Sequence, residues 1–175
     1  FPIFWNLIKP YQQNRILSFL NPESDPLGQG YQLIQSKIAL GSGGLMGKGF
    51  LEGTQSYLEY LPEKQTDFIF TLIGEEFGFL GTIFVLILYS ILILICFYTS
   101  IKSYHIFGRI VSLGIGSNLF LYVLLNMFMV TGLMPVVGIP LPLLSYGGTA
   151  MLSIMACFGL LLNIDANYSI KKLEN

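Results

Sequence analysis

The chain has 175 residues, 53% of them hydrophobic and only 11% charged, with a mean hydropathy of +0.66. A water-soluble domain carries about 25% charged residues, so this composition excludes a fold with a water-facing shell on all sides. A formal net charge of −1 without a basic patch gives no footing for a nucleic-acid partner.

The sequence begins at Phe1, and FPIFWNLI reads as the end of a membrane helix whose start is missing. The expectation is therefore a C-terminal fragment of a larger protein. Residues 9–67 follow as one long polar segment that holds more than half of the Asp, Glu, Lys and Arg residues. Structureless loops of this length are usually functional. Within it, GYQLIQSKIALG is patterned for a short amphipathic helix, and GSGGLMGKGFLEG is too rich in glycine for a stable one.

Two uncharged runs come next, Phe77–Ile101 and Ile110–Ile164. A membrane helix needs about 20 apolar residues, and the second run is more than twice that long. Pro135, Pro140 and Pro142 break it, because three prolines so close cannot share a regular helix. The predicted spans are 68–100, 110–133 and 148–164, followed by a polar tail at 165–175. The fold class is an all-α polytopic membrane protein with a large outer loop.

Positive charge fixes the orientation. Lys102 and Arg109 sit in one short connection, and Lys171 and Lys172 follow the last span on the same side. Cytoplasmic loops carry the excess of Lys and Arg, so residues 9–67 and the Pro-rich turn face outward. Cys96 and Cys157 lie in apolar runs and read as packed free thiols. No spacing indicates a metal site. His105, the only histidine, falls on the cytoplasmic side, which argues against a serine or cysteine hydrolase on the outer side.

The outer candidates cluster in YLPEKQTDFIF, residues 60–70. Asp67 stands where the aqueous loop meets the helix, with Thr66 placed as its N-cap. A carboxylate there can work as a base on a hydroxyl, or it can merely cap the helix. Glu63 is a second acid, with a solvated loop charge as the alternative. Glycines 41, 43, 44, 47, 49 and 53 allow backbone N–H groups to converge on an anion. Lys37, Lys48 and Lys64 add charge, and a flexible loop with scattered lysines is the alternative. In IPLPLLSYGG, Ser145 and Tyr146 place hydroxyls at the outer interface beside Gly147 and Gly148. Glu75 and Glu76, about two turns into the helix, need an interface or a wet cavity.

Residues 22–81, PESDPLGQGYQLIQSKIALGSGGLMGKGFLEGTQSYLEYLPEKQTDFIFTLIGEEFGFLG, resemble the signature region of the SEDS proteins (shape, elongation, division and sporulation). MPVVGIPLPLLSYGGTAML, residues 134–152, resembles their C-terminal signature. NPESDPLG and GSGGLMGKGFLEGTQS look like the rod-shape branch, RodA, rather than the division branch, FtsW. The resemblance implies a ten-helix bundle in the bacterial cytoplasmic (inner) membrane. It also implies a peptidoglycan glycosyltransferase that polymerises lipid II during cell-wall elongation and maintains rod shape. The family's essential aspartate lies in Thr-Asp-Phe, here Thr66, Asp67 and Phe68, which puts the catalytic role on Asp67. Lys48, Lys64, Glu63, Thr66, Ser145 and Tyr146 become substrate-binding candidates.

The implied partners are lipid II, a class B penicillin-binding protein transpeptidase, the elongation machinery and membrane lipids. No cofactor is required by the residues, and a divalent cation is compatible with the reaction. The residue before Thr66 is often His in the family and is Gln65 here, so no role is carried over to it. The alternatives are a lipid II flippase, a non-catalytic scaffold for a transpeptidase, and an inactive truncated gene product.

Overall fold

The computed structural model describes residues 9–24, 28–53 and 66–173, with the side chains of Ser24, Gln29 and 167–173 excepted. Among the described residues the elements in order are α1 (Pro10–Leu20), a 3₁₀ turn (Pro22–Ser24), α2 (Gln29–Ser42), α3 (Ile69–Lys102), α4 (Ile106–Thr131) and α5 (Gly148–Leu173). Three helices are long and apolar enough to cross a membrane: Ile69–Lys102, Ile106–Thr131 and Gly148–Ala166. With three such helices among the described residues, the chain is a multi-pass membrane protein.

The polar segment at 9–67 carries more structure than a loop. Pro10 opens α1 at its first position, where the missing N–H would have had no partner. The helix read in GYQLIQSKIALG extends to Gln29–Ser42. It packs through Leu33 and Ala39, and Ser36 Oγ donates to the Val130 carbonyl at 3.1 Å. The end of α4 is thereby tied to the outer segment. The exposed Lys37 side chain lies over Gly132, the left-handed C-cap of α4, where a cation complements the free carbonyls of a helix end.

The seam between α3 and α4 follows from one stripe on α4. Gly108, Ser112, Gly116, Leu119, Val123, Asn126 and Val130 are buried at spacings of three or four residues. Small residues let membrane helices approach closely, and a Cβ at Gly116 would stand 2.9 Å from Cys96 Cβ. Lipid-side residues such as Phe84, Leu94, Ile110 and Leu152 are exposed. At about 1.5 Å per residue, the 34 residues of α3 reach past a hydrocarbon core of about 30 Å.

α3 is broken at Gly78, whose backbone (φ 66°, ψ −160°) is not helical. The glycine-rich segment after α2 repairs the break. The amides of Lys48 and Gly49 donate to the carbonyls of Glu75 and Glu76, at 3.0 and 3.1 Å. The amides of Phe79 and Leu80 donate to the carbonyls of Gly44 and Leu45, at 2.9 and 3.2 Å. Backbones this close leave no room for side chains. A Cβ on Gly47 would meet the Glu76 carbonyl oxygen at 2.0 Å, and one on Gly78 would meet the Gly47 nitrogen at 2.3 Å.

Several boundaries differ from the sequence expectation. Thr66 is not the N-cap of α3. Residues 66–68 form a turn, and Phe68 is the cap residue, with no side-chain cap bond. Burial of Phe68 in the core fixes the start instead. α4 begins at Ile106, and α5 continues past 164 to Leu173. Leaving the membrane does not stop a helix when the polar residues that follow include good helix formers such as Ala and Lys. Gly78→Ala should destabilise the fold by at least about 1–2 kcal/mol from the left-handed backbone alone, with the steric overlap adding to it. A lowered melting temperature in detergent checks this.

Candidate active site

The two halves of the signature, far apart in sequence, meet at residues 66–68. Asn126 projects from the C-terminal part of the buried α4 stripe and is itself fully buried. Its Nδ2 donates to the Asp67 carbonyl at 2.9 Å and to the Ile139 carbonyl at 2.7 Å. Ser145 makes a second tie. Its hydroxyl donates to the Thr66 carbonyl at 2.5 Å and accepts from the Leu141 amide at 2.6 Å. Phe68 plugs the core beneath, with Leu33, Met129, Val130, Val136 and Leu141.

Asp67 is 8% exposed. Its carboxylate lies against Gly138, where a Cβ would stand 3.1 Å from Oδ2. Gly138 has φ 77°, a conformation that favours glycine, so the Pro-rich turn can come close to the acid. One residue earlier, the Val137 carbonyl accepts from Arg15 Nη1 at 3.0 Å, bringing α1 to the same rim. Tyr89 of α3 donates its hydroxyl to the Pro142 carbonyl, which anchors the other end of the turn.

A cleft of about 460 Å³ opens beside the turn, lined by Ile69, Leu144, Ser145, Tyr146, Gly148 and Met151. Tyr146 is 80% exposed. Cavities of about 340 and 250 Å³ continue between α4 and α5, both lined by Asn118, Tyr122, Pro142, Ile154 and Cys157. The deeper one has largely apolar walls, with Ile115, Leu119 and Phe158.

The structure thus brings Thr66, Asp67 and Ser145 together, and Tyr146 lies on the adjoining cleft. Lys48 stands elsewhere, with its Nζ 2.9 Å from Glu75 Oε1. The anion cradle expected of the glycines is not formed, because the Lys48 and Gly49 amides bond to carbonyls of α3. Glu75 and Glu76 are buried, 1% and 4% exposed, rather than set in an open wet cavity. Glu63 and Lys64 lie outside the described residues. Among the described residues no group of three His, Cys, Asp or Glu side chains is arranged to hold a metal ion. Sequence reasoning missed Asn126, Gly138 and Arg15. Asn126 carried a usable signal, being one of only a few side-chain amides in a long uncharged run.

The profile of the family described as "Cell cycle protein", named for FtsW, RodA and SpoVE, matches residues 1–170. The chain belongs to this family. Its similarity to the peptidoglycan glycosyltransferase MrdB of Escherichia coli (strain K12) is 52% identity over 167 residues, 95% of this chain and 45% of that protein. The peptidoglycan glycosyltransferase RodA of Treponema pallidum is 44% identical over 162 residues, 91% of this chain and 37% of that protein. Stage V sporulation protein E of Bacillus subtilis is 45% identical over 159 residues, 91% and 43% respectively. A chain from a solved peptidoglycan synthase complex, described as coordinating polymerization and crosslinking, superposes with a TM-score of 0.71 at 35% identity. That match covers 94% of this chain and 44% of the other. The chain therefore spans less than half the length of these FtsW/RodA/SpoVE relatives, and its likeness to MrdB and RodA agrees with the rod-shape wording of its motifs.

Asn126→Ala should destabilise the fold by roughly 1–3 kcal/mol, because the Asp67 and Ile139 carbonyls lose their shared donor. Ser145→Ala should cost about 1 kcal/mol, the scale of a single net hydrogen bond. Thermal melts of the two variants in one detergent give the order.

Proposed function

We propose that this chain carries the catalytic rim of a membrane peptidoglycan glycosyltransferase of the rod-shape type, with Asp67 as its general base. The supporting observation is the fixing of Asp67. Its carbonyl is held by α4, its neighbour's carbonyl is held by the Pro-rich turn, and its carboxylate lies against Gly138 of that turn. A base needs to be ionised and within reach of the proton it takes.

In the proposed reaction, a sugar hydroxyl of one lipid II attacks the anomeric carbon of the growing chain. The new C–O bond forms as the bond to the lipid pyrophosphate breaks, and Asp67 receives the hydroxyl proton. Arg15, held at the rim through Val137, and Lys64 supply positive charge for the departing pyrophosphate. Ser145 and Thr66 set the backbone of the site, and Tyr146 stands over the cleft where a sugar would lie. The apolar cavities between α4 and α5 run away from that cleft and suit a polyprenyl tail.

The proposed setting is the bacterial cytoplasmic membrane with this rim on the outer side, a reading supported by the Lys102, Arg109, Lys171 and Lys172 pattern. A class B penicillin-binding protein and the elongation machinery are the proposed partners. The flippase alternative drew on acids at membrane depth, and the pairing of Glu75 with Lys48 gives that acid a structural use.

Asp67→Asn should abolish glycan polymer formation from purified lipid II, a loss of about 10²–10⁴-fold for a removed base, with an unchanged melting temperature. The assay suits a chimera in which this chain replaces the matching part of Escherichia coli MrdB. Polymer made at the parent rate by Asp67→Asn would end the assignment.

A further inference from the structure

Lys48 was the cation expected to meet substrate, and its surroundings give it other work. α3 is two helical pieces joined at Gly78. The shorter piece, from Ile69 to the break, starts two residues after Asp67. Nothing within a broken helix fixes the angle between its pieces, because the ladder of amide-to-carbonyl bonds is interrupted there. The segment Gly43–Gly49 supplies the missing bonds on both sides of the break. Its amides serve Glu75 and Glu76 before Gly78, and its carbonyls serve Phe79 and Leu80 after it. Gly43 presses on the Gly74 carbonyl as tightly as Gly47 does on that of Glu76.

One ion pair locks this splint. Lys48 Nζ meets Glu75 Oε1 at 2.9 Å, and Glu75 is 1% exposed. A buried carboxylate is tolerated when paired and becomes strongly unfavourable once its partner is removed. We propose that Lys48 and Glu75 form a positioning pair that clamps the Gly43–Gly49 splint across the Gly78 break and thereby sets the short helical piece behind Asp67. This rests on the reading of Asp67 as the base. Lys48 then acts through Glu75 and the backbone and touches no phosphate.

The test uses the MrdB chimera in detergent with lipid II, alongside Asp67→Asn. Lys48→Met should lower kcat by about 10²-fold, the scale of an ångström-sized misplacement, with KM unchanged. Lys48→Arg should keep most of the activity, and the reversed pair, Lys48→Glu with Glu75→Lys, should recover at least part of what either single change loses. Hydrogen exchange at the amides of Lys48, Gly49, Phe79 and Leu80 should speed up in Lys48→Met and stay slow in Asp67→Asn. A raised KM with kcat intact would make Lys48 a substrate-binding cation and overturn the proposal. Unchanged exchange at those four amides would also overturn it, whatever the activity. An active Asp67→Asn would instead remove the base assignment, while the exchange measurement continues to decide the splint.

Discussion

The site depends on a single buried side-chain amide. Asn126 gives its two N–H bonds to the carbonyls of Asp67 and Ile139, which joins the end of the outer segment to the turn after α4. Burial makes such a bond hard to give up, since water cannot reach Asn126 to replace it. The seam of small residues on α4 sets the close course of α3 and α4, and Asn126, near the far end of the same buried stripe, reaches the backbone carbonyl of Asp67. Packing thus sets the polar contact, and the polar contact sets the acid.

A second layer of order comes from glycine. At Gly138 the absence of a side chain lets the Pro-rich turn pack against the Asp67 carboxylate. At Gly47 and Gly78 it allows two backbones to share bonds across a broken helix. The same residue type therefore brings a turn against a side chain in one place and joins two backbones in another. Both uses converge on a carboxylate that is held from above by a turn and from below by a short piece of helix.

Much of this was legible in the sequence. The uncharged runs gave the three spans, because a charge-free stretch has few ways to exist in water. Thr66, Asp67 and Ser145 were found as parts of two motifs, and the structure adds that the motifs are in contact. The role of the glycines was misjudged. A run of glycines reports that backbones come close, and it does not say whether the guest is an anion or another strand of the same chain. The pairing of Lys48 with Glu75 was not foreseen, since the two are 27 residues apart and a pairing at that range is invisible to local pattern. The cap at Thr66 failed because burial of Phe68 overrode a local preference. The unbroken reading of α3 missed Gly78, since isolated glycines are common in membrane helices.

The chemistry requires the clasped acid to face the side where lipid-linked sugars are polymerised. The most direct measurement is labelling of single cysteines in intact cells with a membrane-impermeant maleimide, in a background lacking Cys96 and Cys157. Tyr146→Cys, on the cleft beside the clasp, and Tyr104→Cys, in the connection between α3 and α4, are both well exposed positions. Labelling at 146 and none at 104 until the cells are opened is the predicted result. Labelling at 104 with protection at 146 would place Asp67 on the cytoplasmic side and contradict the account.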